Sequence, residues 1–450
     1  MNEADEPSYA PVIAAERITA AEAERAASRV AARLGALGLV RGDRVAVIAD
    51  PSVAYLCAVY GALRSGVVPV LLNPGLLPEE QDVLITDADP ATVLRDAEVH
   101  ALAADGDTAA VDLGSAPACR PMLYTSGTTG RPKGVWSGLL SPDDAAAAVE
   151  DERAVWGFDA ADVNLVVSPL YHSAPMRFAV ATLLAGGDVV VPGRFEVHRI
   201  AEAIVRHRPT TAFMAPPHLQ RLLGLPDRPD LAGFRLLAHA GAPCPDPVKL
   251  AAIDAFGERA VWEFYGSTEG QFTACSTEDW RTHPGTVGPA RPGRELRVDE
   301  HGVIWCRPPS HARFEYWRDP DRTDAAWDDG FFTVGDLGRL DDGYLWLEGR
   351  RDDLIISGGV NVYPVEVERV LQGCPGVEEV AVFPVDDEQW GQMVCAAVVG
   401  PATTPELERY AREHLAAWKR PKRWVPVDEI TVSPTGKVRR SAMARDLGVG

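Results

Sequence analysis

The chain has 450 residues, of which 46% are hydrophobic and 24% charged, enough for two or three domains with a large core. Its formal net charge of −21 argues against nucleic acid or an anionic membrane as a main partner, because basic surfaces bind both. A local site for an anionic small molecule is compatible with this charge. The N-terminal run MNEADEPSYA does not resemble a signal peptide, and no apolar run approaches the roughly 18 residues that span a bilayer.

The seven cysteines are dispersed along the chain, and none belongs to a cluster with the spacing of a zinc site. An odd, dispersed set is typical of a reducing compartment. The sequence therefore predicts a cytoplasmic protein with no membrane span and no zinc site.

The first 240 residues alternate between helix-like and strand-like stretches, which predicts βαβ units and parallel sheet. The Ala-rich stretch 20–39 reads as a helix that ends at glycine, and the apolar stretch 43–49 reads as a buried strand. The alternation then continues with helices over 53–66, 177–187 and 199–209 and strands over 67–73, 162–170, 188–192 and 210–216.

The pattern changes from about residue 285 to 350, where Gly, Pro and Asp separate short β-like pieces. This pattern predicts antiparallel strands or a small barrel. A charged, glycine-containing boundary follows at 349–363. The last hundred residues predict a small α+β domain with its own core, made of helices over 364–373 and 405–418, strands over 378–385 and 393–400, and a basic tail.

The run LYTSGTTGRPKGV at 123–135 places six small or hydroxylic residues before a lysine. Glycines allow a close backbone approach, and exposed N–H groups and hydroxyls favour an anion such as phosphate. A solvated linker is the alternative, but the run is short and has apolar residues on both sides. Because the spacing of a Walker loop is absent, the run predicts a phosphate loop of another kind.

Only five of the 44 basic residues are lysines, so a lysine marks a candidate position for a compact, flexible charge. They are Lys133, Lys249, Lys419, Lys422 and Lys437. Lys133 and Lys437 are the stronger candidates because both lie in glycine-containing turns, RPKG and PTGK.

Five more motifs follow the phosphate loop: PLYHSAP (169–175), EFYGSTEG (263–270), VGDLG (334–338), GRRDDLIISGGVNVYPVEVE (349–368) and PTGKVRR (434–440). In this order they resemble the adenylate-forming (ANL) superfamily of acyl-CoA synthetases, carrier-protein adenylation domains and luciferases. The resemblance covers essentially the whole chain. It implies an α/β fold with a large AMP-binding domain over 1–351, built of two αβ sheet subdomains and a small β-barrel. A small, mobile α+β lid domain over 352–450 would follow, with a hinge near Asp352.

The family's reaction would proceed in two steps. A carboxylate attacks the α-phosphate of ATP to give an acyl-adenylate and pyrophosphate, and a thiol, usually that of CoA, then displaces AMP. Positioning and charge stabilisation dominate chemistry of this kind. The resemblance therefore implies a ligase that uses ATP, Mg²⁺ and CoA to activate a small carboxylic acid, as a monomer or homodimer.

The family's nucleotide-binding roles can be carried over motif by motif. Thr268 would contact the α-phosphate, and Glu269 would bind Mg²⁺, which prefers carboxylate oxygen. Asp336 would accept both ribose hydroxyls. The remaining nucleotide residues would be the phosphate-loop set Thr125, Ser126, Gly127, Thr128, Thr129, Gly130 and Lys133, with Tyr265 and Gly266 near the adenine and Arg350 near the ribose or phosphate.

The family's C-terminal motifs carry the catalytic lysine and the thiol path. Lys437 would bridge the carboxylate and the α-phosphate during adenylation. Rotation at Asp352 would then remove Lys437 from the site and bring in the segment with Gly358 and Gly359, which would line a tunnel for the pantetheine arm of CoA.

The acyl pocket is the part of the site that the resemblance defines least closely. His172 would gate the pocket rather than act as a general base, with a satisfied core histidine as the alternative. Phe213, Met214, Met176 and Phe178 would supply apolar surface, although each could equally be plain core. Arg177 would either meet a polar group of the substrate or face solvent, which we favour. The segment with His239, Ala240 and Gly241 would line the same pocket, and Ala240 in place of the glycine of many relatives would make it shallower.

Three other functions remain compatible with these motifs. The activated acid could pass to a carrier-protein pantetheine or an amine, or the enzyme could activate a small oxyanion such as nitrite, in each case in specialised metabolism. A nucleotide-binding sensor without catalysis is a rival from a different class. The presence of Glu269, Asp336 and Lys437 argues against the sensor, and the SGGVNVYP segment favours CoA as the acceptor.

Overall fold

The computed structural model describes most of the chain. The described residues are 15–106, 111–125, 133–350, 353, 355–357, 360–387, 391–432 and 438–449. They divide into two compact units, the first within 1–124, 134–214 and 221–237, and the second within 125–133, 215–220 and 238–450.

The helices and strands of the first 240 residues alternate as predicted. They are β1 (Glu16–Ile18), α1 (Ala20–Ala36), β2 (Arg44–Ile48), α2 (Val53–Ser65), β3 (Val68–Leu71), α3 (Pro78–Ala88), β4 (Thr92–Arg95), α4 (Asp96–Ala103), β5 (Met122–Thr125), β6 (Lys133–Trp136), α5 (Pro142–Trp156), β7 (Val163–Val166), α6 (Ser173–Leu184), β8 (Asp188–Val191), α7 (Val197–His207), β9 (Thr211–Met214), α8 (Pro216–Leu223) and β10 (Leu236–His239).

Two sheets organise the first unit. In the order β6-β5-β3-β2-β4, strand β3 lies parallel to β2 and β5, and β2 lies parallel to β4. In the order β1-β8-β7-β9-β10, strand β7 lies parallel to β8 and β9, while β1 runs antiparallel to β8. The predicted βαβ units are thus confirmed. Helix α1 begins where predicted because Thr19 and Glu22 form a capping box.

The elements of the remaining chain are mostly short strands. They are β11 (Val261–Glu263), β12 (Cys275–Ser276), β13 (Gly288–Pro289), β14 (Glu295–Val298), β15 (Ile304–Arg307), β16 (Glu315–Tyr316), β17 (Trp327–Asp328), β18 (Phe331–Phe332), β19 (Asp336–Asp341), β20 (Tyr344–Arg350), β21 (Ile355–Ser357), β22 (Val360–Val362), β23 (Glu379–Asp387), β24 (Gly391–Val399) and β25 (Arg423–Pro426), with α9 (Asp246–Phe256), α10 (Thr277–Thr282), α11 (Pro320–Ala326), α12 (Pro364–Leu371), α13 (Thr404–His414) and α14 (Arg440–Asp446).

The antiparallel region predicted between 285 and 350 is present in the second unit. It contains the small sheets β13-β20-β19 and β14-β15-β18-β17, and a bridge between Val303 and Leu337 joins them. A bulge between Leu337 and Gly338 shifts the register of β19 against β20. These sheets correspond to the predicted small barrel.

The last hundred residues form a small α+β region with its own core, as predicted. Strands β22-β21-β24-β23 lie in one sheet, and two clusters of buried residues, all from Ile355 onwards, flank it. The predicted basic tail contains two elements that the sequence did not predict, β25, parallel to β24, and α14. The basic side chains made these short elements hard to recognise, although Trp424 and Val425 of β25 are both partly buried against the core clusters. Helix α13 also ends at His414, four residues earlier than predicted.

The fold is therefore mixed α/β with a small C-terminal domain, as the sequence predicted. The boundary at 351/352 stays a prediction because Asp352 lies outside the described residues. No helix in the described part of the chain is both long and apolar enough to cross a membrane.

Candidate active site

The EFYGSTEG motif forms a tight hairpin turn between β11 and β12. Gly266 pairs with Gln271 across the turn, and the Ser267 N–H donates to the Gly270 carbonyl at 2.8 Å. Gly270 is required because a Cβ there would lie 2.5 Å from the Phe332 ring. The turn therefore presents Thr268 and Glu269 at its tip on a backbone that has little freedom to move.

Glu269, the predicted magnesium ligand, is nearly buried within the second unit, with 8% of its surface exposed. The Tyr316 hydroxyl donates a hydrogen bond to its Oε1 at 2.9 Å. Its own N–H donates to the Ser267 hydroxyl at 3.2 Å. The carboxylate is thus held in one orientation by a side chain 47 residues away in the sequence.

Tyr265 and Asp336, predicted to hold the adenosine, lie together in the second unit. The Tyr265 hydroxyl donates to Asp336 Oδ2 at 2.6 Å, and the two residues are 7% and 8% exposed. The Tyr265 ring packs against Phe272 with centroids 4.7 Å apart. The predicted contact of Tyr265 with adenine stays a prediction.

Asp336 begins strand β19 directly after a tight turn. The turn requires Gly335, which has a φ of +81° and donates its N–H to the Thr333 hydroxyl at 3.1 Å. Across the hairpin Asp336 pairs with Arg350, so the backbones of these two predicted nucleotide ligands are neighbours in the sheet.

Lys133 begins strand β6 at the end of the predicted phosphate loop and belongs to the second unit. Its Nζ lies 5.6 Å from the centroid of the Tyr316 ring, within the range of a cation–π contact. Tyr316 therefore contacts both Lys133 and Glu269. At the other end of the loop, Thr125 ends β5 and is half-buried.

Several predicted site residues lie outside the described residues, so their roles stay predictions. They are Ser126, Gly127, Thr128, Thr129 and Gly130 of the phosphate loop, the hinge residue Asp352, the glycines Gly358 and Gly359, and Lys437.

The first unit carries most of the residues predicted for the acyl pocket. His172 precedes α6 and contacts the Tyr171 ring edge-on at 4.6 Å. Phe213 is 6% exposed and packs against Phe178 at 5.9 Å, while Met176 is 2% exposed and Met214 is fully buried. Phe178 is also fully buried. Whether any of these residues lines a substrate pocket stays a prediction.

Arg177 does not face solvent as we expected from the sequence. Its Nε lies 3.5 Å from Glu152 Oε1, and only 22% of its side chain is exposed. Glu152 lies on α5, so packing of that helix against α6 created a partner that sequence separation concealed.

The second unit carries the other three predicted pocket residues, at and after the end of β10. His239 is fully buried, and its two ring nitrogens have no hydrogen-bond partner among the described residues. The pKa of His239 is lowered to about 4, mainly by burial, while Glu263 opposes the shift and Lys249 adds to it. The imidazole is therefore neutral near pH 7. Gly241 has a φ of +92°, which favours glycine after Ala240.

Sequence reasoning missed two features of the second unit. Lys249 is 2% exposed and forms a 2.5 Å ion pair with Glu263, and its ammonium lies 4.7 Å from the Trp280 ring centroid. The scarcity of lysines marked Lys249 but gave it no role. Tyr316 had no sequence signal, since its partner Glu269 lies in another motif.

The turn and its partner fit a magnesium–nucleotide complex. No group of three or more His, Cys, Asp or Glu residues suited to a metal occurs among the residues that the structure describes. Mg²⁺ characteristically takes one or two carboxylates and completes its shell with phosphate oxygens and water. A single buried carboxylate such as Glu269, held at one oxygen, matches that requirement.

Comparison with known families decides the classification. The model of the AMP-binding enzyme family matches residues 2–118 and 116–313, and that of the AMP-binding enzyme C-terminal domain matches residues 366–437. The chain belongs to the adenylate-forming acyl-CoA synthetase family. Membership makes it a ligase of the ATP- and AMP-binding type, as the motif order indicated.

Two curated relatives match nearly the whole chain. The long-chain-fatty-acid–CoA ligase FadD13 of Mycobacterium tuberculosis is 31% identical, over 95% of this chain and 92% of its own. The feruloyl-CoA synthase of an Amycolatopsis species is 32% identical, over 96% and 94%. These CoA ligases act on different acids, so the likeness does not select a substrate.

Solved structures give the same fold. ATP-bound MatB from Rhodopseudomonas palustris has a TM-score of 0.83 at 32% identity, covering 95% of this chain and 93% of that one. The amide bond synthetase McbA from Marinactinospora thermotolerans has a TM-score of 0.82 at 28% identity, covering 95% and 94%. An enzyme named as an amide bond synthetase thus shares the fold, while the two curated relatives are named as CoA ligases.

Proposed function

We propose that this protein activates a carboxylic acid with ATP and transfers the acyl group to the thiol of CoA. In the first step a carboxylate oxygen attacks the α-phosphorus, the bond to the oxygen bridging to the β-phosphate breaks, and pyrophosphate leaves. In the second step the CoA sulfur attacks the acyl carbon, AMP leaves with the former carboxylate oxygen, and the thiol proton is released.

One observation carries this proposal. Two carboxylates from separate motifs, Glu269 and Asp336, are nearly buried in the same unit, and each accepts a hydrogen bond from a tyrosine hydroxyl. Buried carboxylates are costly unless their charge is used or paired. One suits a cation on the phosphates and the other suits the ribose hydroxyls, which are the two ends that a nucleotide site must bind.

The remaining roles follow the family motifs. Bound Mg²⁺ would neutralise charge on the phosphates, and Glu269 would hold it. The phosphate loop and Lys133 would hold the β- and γ-phosphates, and Thr268 the α-phosphate. Lys437 would stabilise the charge that develops during adenylation. A hinge at Asp352 would then replace Lys437 with the glycine segment for the thiol step.

An apolar acid of compact shape is the substrate class that the proposed pocket favours. Met176, Phe213 and Met214 are apolar, and burying apolar surface against them contributes roughly 25 cal/mol per Å². The segment TTAFMAPPH carries no Asp or Glu that could hold the ammonium group of an amino acid. We therefore expect benzoate-like or medium-chain acids to be better substrates than palmitate or any proteinogenic amino acid.

CoA is the acceptor that the surface of the second unit favours. Trp418 is 51% exposed, and four basic residues follow it within five positions: Lys419, Arg420, Lys422 and Arg423. In a chain of net charge −21, an exposed indole beside a basic run suits the adenine and phosphates of CoA. The likeness to McbA supports an amine acceptor as the second candidate.

The testing experiment is pyrophosphate exchange with a panel of acids, followed by product analysis with CoA, a phosphopantetheinylated carrier protein and amines. We expect exchange with benzoate-like or medium-chain acids, and thioester formation with CoA. Replacing Trp418 with Ala should raise the KM for CoA and leave that for free pantetheine unchanged. Palmitate as the best acid would overturn the substrate class, an amide product would overturn the acceptor, and no exchange with any acid would overturn the activity.

A further inference from the structure

Tyr316 is held in place by hydrogen bonds at its backbone and by packing of its ring. Its N–H donates to the Thr323 hydroxyl at 2.9 Å, and its carbonyl accepts from the Asp319 N–H at 3.1 Å. Its ring packs edge-on against Phe314 at 5.4 Å, and only 6% of its surface is exposed. The hydroxyl therefore has a defined position before any ligand arrives.

Tyr316 uses its two ends on two different groups of the candidate site. The hydroxyl donates to Glu269 Oε1 at 2.9 Å. The ring faces the Lys133 ammonium, whose Nζ is 5.6 Å from the centroid, and the Arg322 guanidinium at 6.0 Å. One side chain thus joins the carboxylate expected to bind the metal to the ammonium expected to bind the phosphates.

The hydrogen bond leaves half of the Glu269 carboxylate available. Among the described residues, the Tyr316 hydroxyl is the one hydrogen-bond donor to the Glu269 side chain, and no cation pairs with it there. Holding Oε1 fixes the plane of the carboxylate and leaves Oε2 to a cation. Partners that orient a ligating carboxylate in this way tune metal affinity without touching the metal.

We propose that Tyr316 is a positioning residue for the metal–phosphate part of the site. Its hydroxyl orients Glu269 toward the metal, and its ring holds Lys133 for the phosphates. This inference rests on the proposed function, because it takes Glu269 as the metal ligand and Lys133 as a phosphate ligand.

The hydroxyl is tested by metal affinity rather than by turnover. Mn²⁺ is titrated into the protein with α,β-methylene-ATP, whose methylene bridge prevents transfer of the adenylyl group to an acid, and free Mn²⁺ is read by electron paramagnetic resonance. Tyr316→Phe keeps the ring and removes the donor, so Mn²⁺ affinity should fall about 10- to 100-fold. Affinity for the metal-free analogue, measured in EDTA, should be unchanged.

Tyr344→Phe is the matched control. The Tyr344 hydroxyl donates to Asp279 Oδ1 at 3.0 Å, elsewhere in the same unit. This variant therefore also loses one hydrogen bond from a tyrosine hydroxyl to a carboxylate. Its Mn²⁺ affinity should equal that of the unmodified protein. The role of the hydroxyl would be overturned if Tyr316→Phe bound Mn²⁺ as tightly as the unmodified protein. It would also be overturned if the variant lost as much affinity for the metal-free analogue as for Mn²⁺.

A double-mutant cycle identifies the route of the effect. If Tyr316 acts through Glu269, then Glu269→Gln and the double variant with Tyr316→Phe should bind Mn²⁺ equally weakly. Additive losses would overturn that route. Tyr316→Leu should also weaken the metal-free analogue, because Lys133 loses the ring, and analogue affinity equal to that of Tyr316→Phe would overturn the role of the ring.

The same titration separates this inference from the proposed function. If the unmodified protein binds no Mn²⁺ with the analogue and catalyses no pyrophosphate exchange, the proposed function fails. If it does both while Tyr316→Phe matches it in Mn²⁺ affinity, the inference about Tyr316 alone fails.

Discussion

The hairpin turn that carries Glu269 and the apolar cluster of Phe213, Phe178 and Phe158 are held together by different kinds of interaction. We call this cluster the wall. At and around the turn, hydrogen bonds fix individual oxygen atoms: the Tyr316 hydroxyl donates to Glu269 Oε1, and the Tyr265 hydroxyl donates to Asp336 Oδ2. In the wall, Phe213 meets Phe178 at 5.9 Å, and Phe178 meets Phe158 at 5.3 Å, without any polar contact between the rings.

This difference indicates how each region tolerates change. Hydrogen bonds depend steeply on distance and angle, so removing one polar group should impair a chemical step or one ligand sharply. Apolar packing is non-directional and spread over many atoms, so a conservative change should shift preference by degrees. We expect substitutions of the polar site residues to cause large losses in one step or one ligand, and substitutions in the wall to change acid preference gradually.

The largest loss of activity is expected at Lys437, the polar residue to which the sequence assigns the catalytic role in adenylation. Lys437→Ala removes a charge that acts only during adenylation, so acyl-adenylate formation should fall by about 10²–10³-fold. Turnover of a supplied acyl-adenylate with CoA should persist. Separate assays of the two half-reactions check this, and an equal fall in both would contradict the assignment.

A smaller but specific loss is expected at Asp336. Asp336→Asn replaces the carboxylate that would accept hydrogen bonds from the ribose hydroxyls. The KM for ATP should therefore rise about 10- to 100-fold, the effect of losing a hydrogen bond to a charged group. Steady-state kinetics with ATP as the varied substrate measure this change. The KM for the acid should change little.

Asp341→Asn is the control, because Asp341 lies on the same strand and 74% of its side chain is exposed. Its KM for ATP should be that of the unmodified protein. Equal effects of the two variants would mean that β19 as a whole, rather than Asp336, governs nucleotide binding.

The wall should respond by degrees. Phe213→Leu removes part of the apolar surface, so kcat/KM for a benzoate-like acid should fall about tenfold or less and bulkier acids should gain relative to it. The KM for ATP should not change. Phe158→Leu is the control, since Phe158 contacts the same Phe178 ring but is not predicted to line the pocket. An unchanged acid preference in Phe213→Leu would remove Phe213 from the pocket.

The smallest effect is expected at His239 and concerns stability. Because burial lowers the pKa of His239 from its usual value of 6.5 to about 4, the unfolded chain binds more protons between these values. The contribution of the neutral His239 to the free energy of unfolding is therefore fully present above about pH 6.5 and declines as the pH falls. Between pH 7 and 5.5 the residue should account for about 1 kcal/mol of the free energy of unfolding.

Urea unfolding at the two pH values checks this. His239→Leu should lose that part of the pH dependence, whereas His301→Gln should keep it, because 72% of the His301 side chain is exposed. The same pH dependence in His239→Leu as in the unmodified protein would show that the pKa of His239 is not lowered in the folded state.

The sequence by itself determined the class of chemistry and most of the fold. Motif order identified the family, and hydrophobic periodicity located some of the helices and strands of the first 240 residues to within a few residues, namely α1, α2, α6, α7, β2, β3, β7, β8 and β9. Both signals are local in the chain, so they need no knowledge of which segments meet. The same locality explains the missed β25 and α14, whose short patterns are masked by basic residues.

Only the tertiary structure decided which side chains meet. Tyr265 and Asp336 are 71 residues apart, Tyr316 and Glu269 are 47 apart, and neither pair has a spacing that a periodic pattern could show. The ion pair of Arg177 with Glu152 likewise depends on how two helices pack. A hydrogen bond or ion pair forms only when packing brings two groups within a few ångströms, and the folded core sets that distance.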